Sequence, residues 1–211
     1  MNRPRILLAD DHRMVAEGLR ALLEPDYELV GIVEDGRALL EAVERLRPDV
    51  VVADVSMPLL NGIDAVRQLK KKHPSLAVVF LTMHLDVEYA ASAVEVGALG
   101  YVLKHSAPSE LLTAISHALK GRSYITPLLA EDLLAYQSRQ PKHRREGLDR
   151  LTPRQREVLQ LLAEGHSVKE VGALLGISAR TVEFHKYSMI DTLGLKSSAE
   201  LVRFAVEHGI K

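Results

Sequence analysis

Five polar residues in the first half of the chain follow short apolar runs, and their types suit phosphoryl chemistry. Asp10 and Asp11 follow one run, Asp54 and Thr82 end two others, and Lys104 follows a fourth. Clustered carboxylates repel one another and favour a hard, oxygen-binding cation such as Mg²⁺. A carboxylate can attack phosphorus to form an aspartyl phosphate, while an ammonium group and a hydroxyl neutralise the transferring group. The set predicts a Mg²⁺-assisted phosphoacceptor site with Asp54 as nucleophile.

The elements that must bring these residues together are alternating strands and helices in the first 120 residues. Short runs rich in β-branched residues predict buried parallel strands, and amphipathic helical patterns separate them. The predicted strands cover residues 6–9, 29–33, 50–53, 78–81 and 101–103. Five β-α units predict an open parallel sheet with helices on both faces, in which a strand order of 2-1-3-4-5 makes the polar strand ends converge.

Residues 1–120 resemble the receiver domains of response regulators. The matching motifs are the Asp10-Asp11 pair, residues 52–58 followed by Asn61-Gly62, the Leu81-Thr82 strand end, and residues 97–104. The resemblance implies an α/β flavodoxin-like receiver with a five-stranded parallel sheet. It also implies that Asp54 accepts a phosphoryl group and that Lys104 pairs with the phosphate.

The same resemblance implies roles for the remaining polar residues. Thr82 and Tyr101 would form a switch in which the threonine moves to the phosphate and the aromatic ring turns inward. Ser56 and His84 occupy positions at which side chains tune the lifetime of the phosphoryl group. The implied Mg²⁺ ligands are Asp10, which acts close by or through water, Asp11, Asp54 and the backbone carbonyl of Ser56.

From Leu151 onward the pattern is entirely helical. Thr152, Pro153 and Gln155 form a capping box with proline at the first helical position. Helices are predicted over residues 168–175 and about 179–193, with Gly176 in the turn between them and Ser178 capping the second. Two helices joined by such a turn are typical of a helix-turn-helix, and a last helix is capped at Ser197.

Residues 151–205 resemble the LuxR-type DNA-binding domain. The matches lie at residues 151–159, 163–165, 177–185 and 193–197, in order and spacing. The resemblance implies an all-α, four-helix domain whose helix-turn-helix covers residues 168–187 and whose last helix, 198–208, dimerises. Base-reading positions would be Glu183, Phe184 and Tyr187, and plausible phosphate contacts are Lys169, Arg180 and Lys186.

These features predict a receiver at residues 1–121, a linker with a short helix at 122–147, and a DNA-binding domain at 148–211. The chain has no cysteine, which excludes disulfides and thiolate metal sites and favours a cytoplasmic location. No apolar run approaches membrane-spanning length and no signal peptide is evident, so we expect no membrane association. The formal net charge is only −1, so charge alone does not indicate a DNA-binding protein.

The two resemblances occur in the order of the NarL/FixJ-type response regulators of two-component systems. They imply a phosphorylation-controlled transcription regulator, not an enzyme, whose partners are a sensor histidine kinase and double-stranded DNA with inverted half-sites. The active form would be a homodimer. Three alternatives remain: a receiver-type regulator that no longer uses phosphate, an aspartyl-phosphate phosphatase or phosphotransferase, and a LuxR-type sensor of a small apolar signal. The intact pocket disfavours the first, Ser56 in place of a second aspartate disfavours the second, and the charged pocket disfavours the third.

Overall fold

In the computed structural model, which describes residues 3–106, 108–139 and 146–210, the chain divides into two units. Unit 1 is Met1–Arg139 and unit 2 is Gln140–Lys211. Within the described part of the chain, no helix is long and apolar enough to cross a membrane.

Unit 1 alternates strands and helices along its sequence. Its strands are β1 (Arg5–Ala9), β2 (Glu28–Val33), β3 (Val50–Ala53), β4 (Ala77–Thr82), β5 (Gly100–Leu103) and β6 (Tyr124–Ile125). Its helices are α1 (Arg13–Leu23), α2 (Gly36–Leu46), α3 (Gly62–Lys72), α4 (Val87–Glu95), α5 (Pro108–Leu119) and α6 (Pro127–Arg139). All strand pairs are parallel, and the order across the sheet is β2-β1-β3-β4-β5-β6.

The predicted parallel sheet and the order of its first five strands are confirmed, but the count of five is wrong. A sixth strand, β6, extends the sheet beyond β5, with the Tyr124 amide donating to the Leu99 carbonyl at 2.8 Å. Two residues are too few to produce a periodic pattern, so the sequence signal is absent. The strand forms because the edge of β5 offers unpaired backbone groups that the following chain can satisfy.

The sheet is covered on both faces, which explains why its strands are apolar without alternation. On one face, Leu7 and Ala9 of β1 pack with helices α2, α3, α4 and α6. On the other face, Ile6 and Leu8 pack with α1 and α5. Each face has its own buried cluster, and the sheet lies between the two.

Helix α6 is part of unit 1 although the sequence pattern places it in the linker. The sequence indicates a short helix near residues 128–136, and the structure has one over Pro127–Arg139. Leu129 and Leu133 are buried in the cluster beneath α4. The basic stretch of the predicted linker that contains Lys142, Arg144 and Arg145 lies outside the described residues.

Unit 2 is helical where the structure describes it. Its helices are α7 (Glu146–Asp149), α8 (Pro153–Ala163), α9 (Val168–Leu175), α10 (Ala179–Leu193) and α11 (Ser198–Glu207). The four predicted helices are present, and a one-turn helix precedes them. The predicted capping box of Thr152 and Gln155 is formed, and Ser167 and Glu170 form a second one at α9. Gly176 has a φ of 63°, a left-handed conformation that suits glycine and allows the tight turn into α10.

Candidate functional site

An acidic cluster lies at the carboxyl ends of β1 and β3, which are neighbours in the sheet. Ligand atoms of Asp10, Asp11, His12 and Asp54 all lie within 4.8 Å of one another. Asp10 and Asp54 are 1% and 4% exposed, whereas Asp11 faces solvent. The two buried carboxylates therefore need a positively charged partner, because an unpaired buried charge is costly.

Lys104 provides that partner. Its Nζ lies 2.6 Å from Oδ2 of Asp54 and 2.8 Å from Oδ2 of Asp10. Burial raises the pKa of Asp54, although the bond from Lys104 acts in the opposite direction. Burial also disfavours the charged form of Lys104, but its bonds to Asp10 and Asp54 raise its pKa overall. The ammonium group is thus kept charged beside the carboxylate expected to react.

The position of Asp54 is fixed by close backbone packing. Its amide donates to the Ala9 carbonyl at 2.8 Å, which aligns the end of β3 with β1. The following loop returns so that the Gly62 amide donates to the Val55 carbonyl at 2.8 Å. A Cβ atom at Gly62 would lie 2.0 Å from the Asp54 carbonyl oxygen, so only glycine fits. Helix α3 then begins at Gly62 with Asn61 as its cap.

Thr82, Ser56 and Tyr101 meet at one residue, His84, in the loop after β4. The His84 amide donates to Oγ1 of Thr82 at 3.2 Å, and the Tyr101 hydroxyl donates to the His84 carbonyl at 3.1 Å. The His84 Nε2 and Ser56 Oγ share a hydrogen bond of 2.7 Å. The His84 ring also stacks on Tyr89, with centroids 4.4 Å apart. One residue therefore joins the loop after β3, the end of β4 and the aromatic ring of β5.

Tyr101 points its ring into the core of unit 1. The residue is 1% exposed, and burial raises the pKa of its hydroxyl. Its hydroxyl donates to the backbone carbonyl of His84, so the buried hydroxyl has a hydrogen-bond partner without water.

The cluster has the donor set that a hard divalent cation requires. The oxygens of Asp10, Asp11 and Asp54 are the ligand type that Mg²⁺ prefers. The backbone amide of Ser56 donates to Oδ1 of Asp54 at 3.3 Å, so Ser56 is close to the same carboxylate. His12 Nδ1 lies 2.9 Å from Oδ1 of Asp11, and this contact was not anticipated from the sequence.

In unit 2, helix α10 presents a polar and aromatic face to solvent. Phe184 and Tyr187 are 69% and 62% exposed, which is unusual for residues of this size. Val182 and Met189 are buried on the opposite side, as the helical periodicity predicts. Arg180 and Glu183 of α10 and Lys169 of α9 are also exposed. The Nζ of Lys186, which is half-buried, lies 4.9 Å from the ring centroid of Tyr187.

Contacts from α8 hold α9 and α10 in place. Arg154 donates to the Leu175 carbonyl at 2.6 Å, which satisfies the carboxyl end of α9. Gln155 donates to Oγ of Ser188 at 3.2 Å and so ties α8 to α10. These bonds orient the exposed face of α10 on a packed base.

The matches to protein families agree with both halves of this architecture. The family described as response regulator receiver domain matches residues 6–116, and the family described as bacterial regulatory proteins, luxR family, matches residues 149–205. The chain belongs to the two-component response regulators with a LuxR-type DNA-binding domain. The acidic cluster of this response regulator therefore lies in its receiver, and α9 and α10 form its helix-turn-helix.

Relatives cover nearly the whole chain. Transcriptional regulatory protein MctR of Rhizobium johnstonii is 37% identical over 98% of this chain and 94% of its own length. RcsB of Salmonella enterica serovar Typhimurium, solved bound to a promoter with the phosphomimetic BeF3−, is 30% identical, with a TM-score of 0.59 over 98% of this chain and 100% of that one. A structure of two RcsB dimers on two parallel DNAs is 29% identical, with a TM-score of 0.61 over 97% and 98% of the chains.

The structure of this response regulator brings most sequence-derived site residues into two groups. Asp10, Asp11, Asp54 and Lys104 form the first, and Ser56, Thr82 and Tyr101 form the second around His84. The sequence pointed to His84 only by its position after Thr82, because its contacts with Ser56 and Tyr101 join residues far apart in the chain. His12 gave one signal, its place directly after two aspartates.

Proposed function

We propose that this response regulator accepts a phosphoryl group on Asp54 and that the modification controls DNA binding by its helix-turn-helix. The observation that carries the proposal is the position of the Lys104 ammonium, in contact with both Asp54 and Asp10 inside an acidic cluster. A cation held at this point is suited to neutralise the equatorial oxygens of a phosphoryl group on Asp54.

Each polar site residue of the receiver has a role in the proposed reaction. An oxygen of Asp54 attacks phosphorus, and the bond from phosphorus to the donor nitrogen or oxygen breaks. Asp10, Asp11, Asp54 and the Ser56 carbonyl would hold Mg²⁺, which when bound offsets carboxylate and phosphate charge. Lys104 exchanges its bond to the Asp54 carboxylate for one to the phosphoryl oxygens, and the Thr82 hydroxyl donates to another.

The proposed switch follows from the contacts of Thr82. Its hydroxyl accepts the His84 amide, and the Tyr101 hydroxyl donates to the carbonyl of the same residue. When Thr82 turns toward the phosphate, the loop after β4 loses that anchor. The loop and the start of α4 then shift, which changes the surface of the receiver.

The phosphoryl donor in the cell would be a sensor histidine kinase, the partner that a receiver domain implies. We also place the protein in the cytoplasm, where the DNA and the kinase domain of such a sensor are accessible. The relatives are named as transcriptional regulators, which supports a regulator with no separate enzymatic activity.

The DNA-binding domain of the proposal covers residues 148–211 and inserts α10 into the major groove. Exposed Glu183, Phe184 and Tyr187 would read bases, and Lys169, Arg180 and Lys186 would contact phosphates. The RcsB structures on DNA, one of them containing dimers, support a homodimer as the active form. A dimer formed through α11 should bind inverted half-sites whose centres lie about one helical turn apart.

Mass spectrometry of the intact chain tests the phosphorylation step. With acetyl phosphate and Mg²⁺ the wild type should gain one phosphoryl group, and omission of Mg²⁺ should prevent this. Asp54→Asn should not be labelled, whereas Asp64→Asn, a change at an aspartate outside the cluster, should be labelled like the wild type. Full labelling of Asp54→Asn would contradict the assignment of the acceptor.

A further inference from the structure

Thr126 lies between β6 and α6, in the segment that leads out of the receiver, and it is only 3% exposed. Its amide donates to the Tyr101 carbonyl at 3.0 Å, which continues the pairing of β6 with β5. Its hydroxyl accepts the Leu103 amide at 3.4 Å and donates to Oε2 of Glu110 at 3.1 Å. The amide and the hydroxyl of Thr126 are therefore both hydrogen-bonded, the amide to β5 and the hydroxyl to β5 and α5.

The two partners of that hydroxyl lie at the two ends of one loop. Leu103 is the last residue of β5, Glu110 is in the first turn of α5, and Lys104 lies between them. The Thr126 hydroxyl thus bonds both the last residue of β5 and the first turn of α5.

Lys104 depends on the position of this loop. Its Nζ must stay within 2.6–2.8 Å of two separate carboxylates, and a lysine stem has many rotamers. A displacement of about 1 Å in a group that stabilises a transition state has large effects on rate. The Lys104 amide donates to the Thr82 carbonyl at 2.7 Å, and the Leu103 amide directly before it donates to the Thr126 hydroxyl at 3.4 Å, so both bonds hold the start of this loop.

We propose that Thr126 is a positioning residue that holds the Lys104 loop for phosphoryl transfer and ties it to helix α6. This inference rests on the proposed function, because it assigns Lys104 to the phosphoryl group of Asp54. In the described part of the chain Thr126 has no hydrogen bond to Asp10 or Asp54, and it acts through Leu103 and Glu110.

The tie to α6 is direct because that helix begins at the next residue, Pro127. Leu129 and Leu133 of α6 are buried in the same cluster as Tyr101. A change at the phosphorylation site that moves Tyr101 or the Lys104 loop therefore changes the support of α6. By linkage, any state of the protein that holds α6 in one position favours one state of the site.

The rate of phosphorylation of the full chain by acetyl phosphate and Mg²⁺ tests the positioning role. Thr126→Val keeps the volume and removes the hydroxyl with both of its hydrogen bonds, and it should slow labelling at least about fivefold, the scale expected for one hydrogen bond. Thr126→Ser retains the hydroxyl and should restore most of the rate. Thr113→Val is the matched control, because Thr113 is exposed and its hydroxyl bonds the Ser109 carbonyl of its own helix α5.

If Thr126→Val does not fold, Glu110→Ala is the second variant. It removes the acceptor of the Thr126 hydroxyl and should slow labelling similarly. Hydrogen exchange of residues 124–136 gives an independent readout: phosphorylation should change it in the wild type and not in Thr126→Val. A variant that melts at a lower temperature but keeps the wild-type labelling rate and exchange response would overturn the inference. If the wild type itself takes up no phosphoryl group, the proposed function fails, and this inference fails with it.

Discussion

Ser56 Oγ and His84 Nε2 are 2.7 Å apart, and their hydrogen bond joins the loop after β3 to the loop after β4. The bond lies beside Asp54, because the Ser56 amide also donates to the carboxylate of Asp54. Stacking on Tyr89 fixes the imidazole ring in this position. The two loops that border the acceptor are thus connected by one pair of side chains.

Loss of this pair should shorten the lifetime of the phosphoryl group on Asp54. Ser56→Ala removes the bond across the two loops, which makes it easier for water to reach phosphorus. We expect hydrolysis of the phosphorylated protein to become about fivefold faster, on the scale of one lost hydrogen bond. Loss of the phosphoryl mass over time measures this. Ser92→Ala, at a half-buried serine whose hydroxyl bonds the Glu88 carbonyl of its own helix α4, is the control, and equal lifetimes in Ser56→Ala and the control would disprove the role of the pair.

A side chain at Gly62 should displace Asp54. In Gly62→Ala the new Cβ would lie 2.0 Å from the Asp54 carbonyl oxygen, so the loop must move. We expect the variant to lose ~1–3 kcal/mol of unfolding free energy, the range for a strained or overpacked position, and to be labelled more slowly. Gly18→Ala is a matched control in α1, where the added Cβ has no neighbour within 4 Å. That change should stabilise the protein by ~0.5–1 kcal/mol, and equal effects of the two substitutions would contradict the packing argument.

Removal of the Lys104 ammonium should destabilise the receiver. Lys104→Met leaves the buried carboxylates of Asp10 and Asp54 without their cation, which costs ~3–5 kcal/mol when one partner of a buried ion pair is lost. Urea unfolding measures the loss in the presence of a chelator. Mg²⁺ should recover more stability in this variant than in the wild type, because it replaces the missing charge. Lys120→Met, at an exposed lysine after α5, should have little effect, and a similarly small effect of Lys104→Met would contradict the buried pair.

DNA binding should depend only weakly on salt. The last turn of α10 contains Asp191 and Thr192 and no basic residue, so Arg180 and Lys186 are the lysine and arginine cations of this helix. Each phosphate neutralised contributes about −0.9 to the slope of log affinity against log salt. Thr192→Lys should bind all sequences more tightly and steepen the slope by roughly one unit per subunit. Titrations across salt check this, with Thr113→Lys in the receiver as a control of equal charge. A wild-type slope for Thr192→Lys would mean that this end of α10 does not face phosphates.

The sequence predicts the elements better than it predicts their connections. Helices α9 and α10 begin and end where expected because serine caps and left-handed glycines are local signals. The convergence of Asp10, Asp54 and Lys104 follows from the strand order, which the β-α alternation limits strongly. By contrast, β6 is too short to have a pattern, and the packing of α6 on α4 joins residues far apart in the chain. The contacts of His84 join residues 17 and 28 positions away, and no local periodicity encodes them.

An affinity measurement on the full chain tests the claim that phosphorylation of Asp54 controls DNA binding. The probe is a duplex selected by the wild type from a random-sequence library, titrated with and without acetyl phosphate and Mg²⁺. We predict that phosphorylation tightens wild-type binding by about 5- to 150-fold, the usual range for coupling between two sites. The affinity of Asp54→Asn for the duplex should be the same with and without acetyl phosphate and Mg²⁺. The claim would be contradicted if the wild type, shown by mass to carry the phosphoryl group, bound the duplex no differently from the unmodified protein.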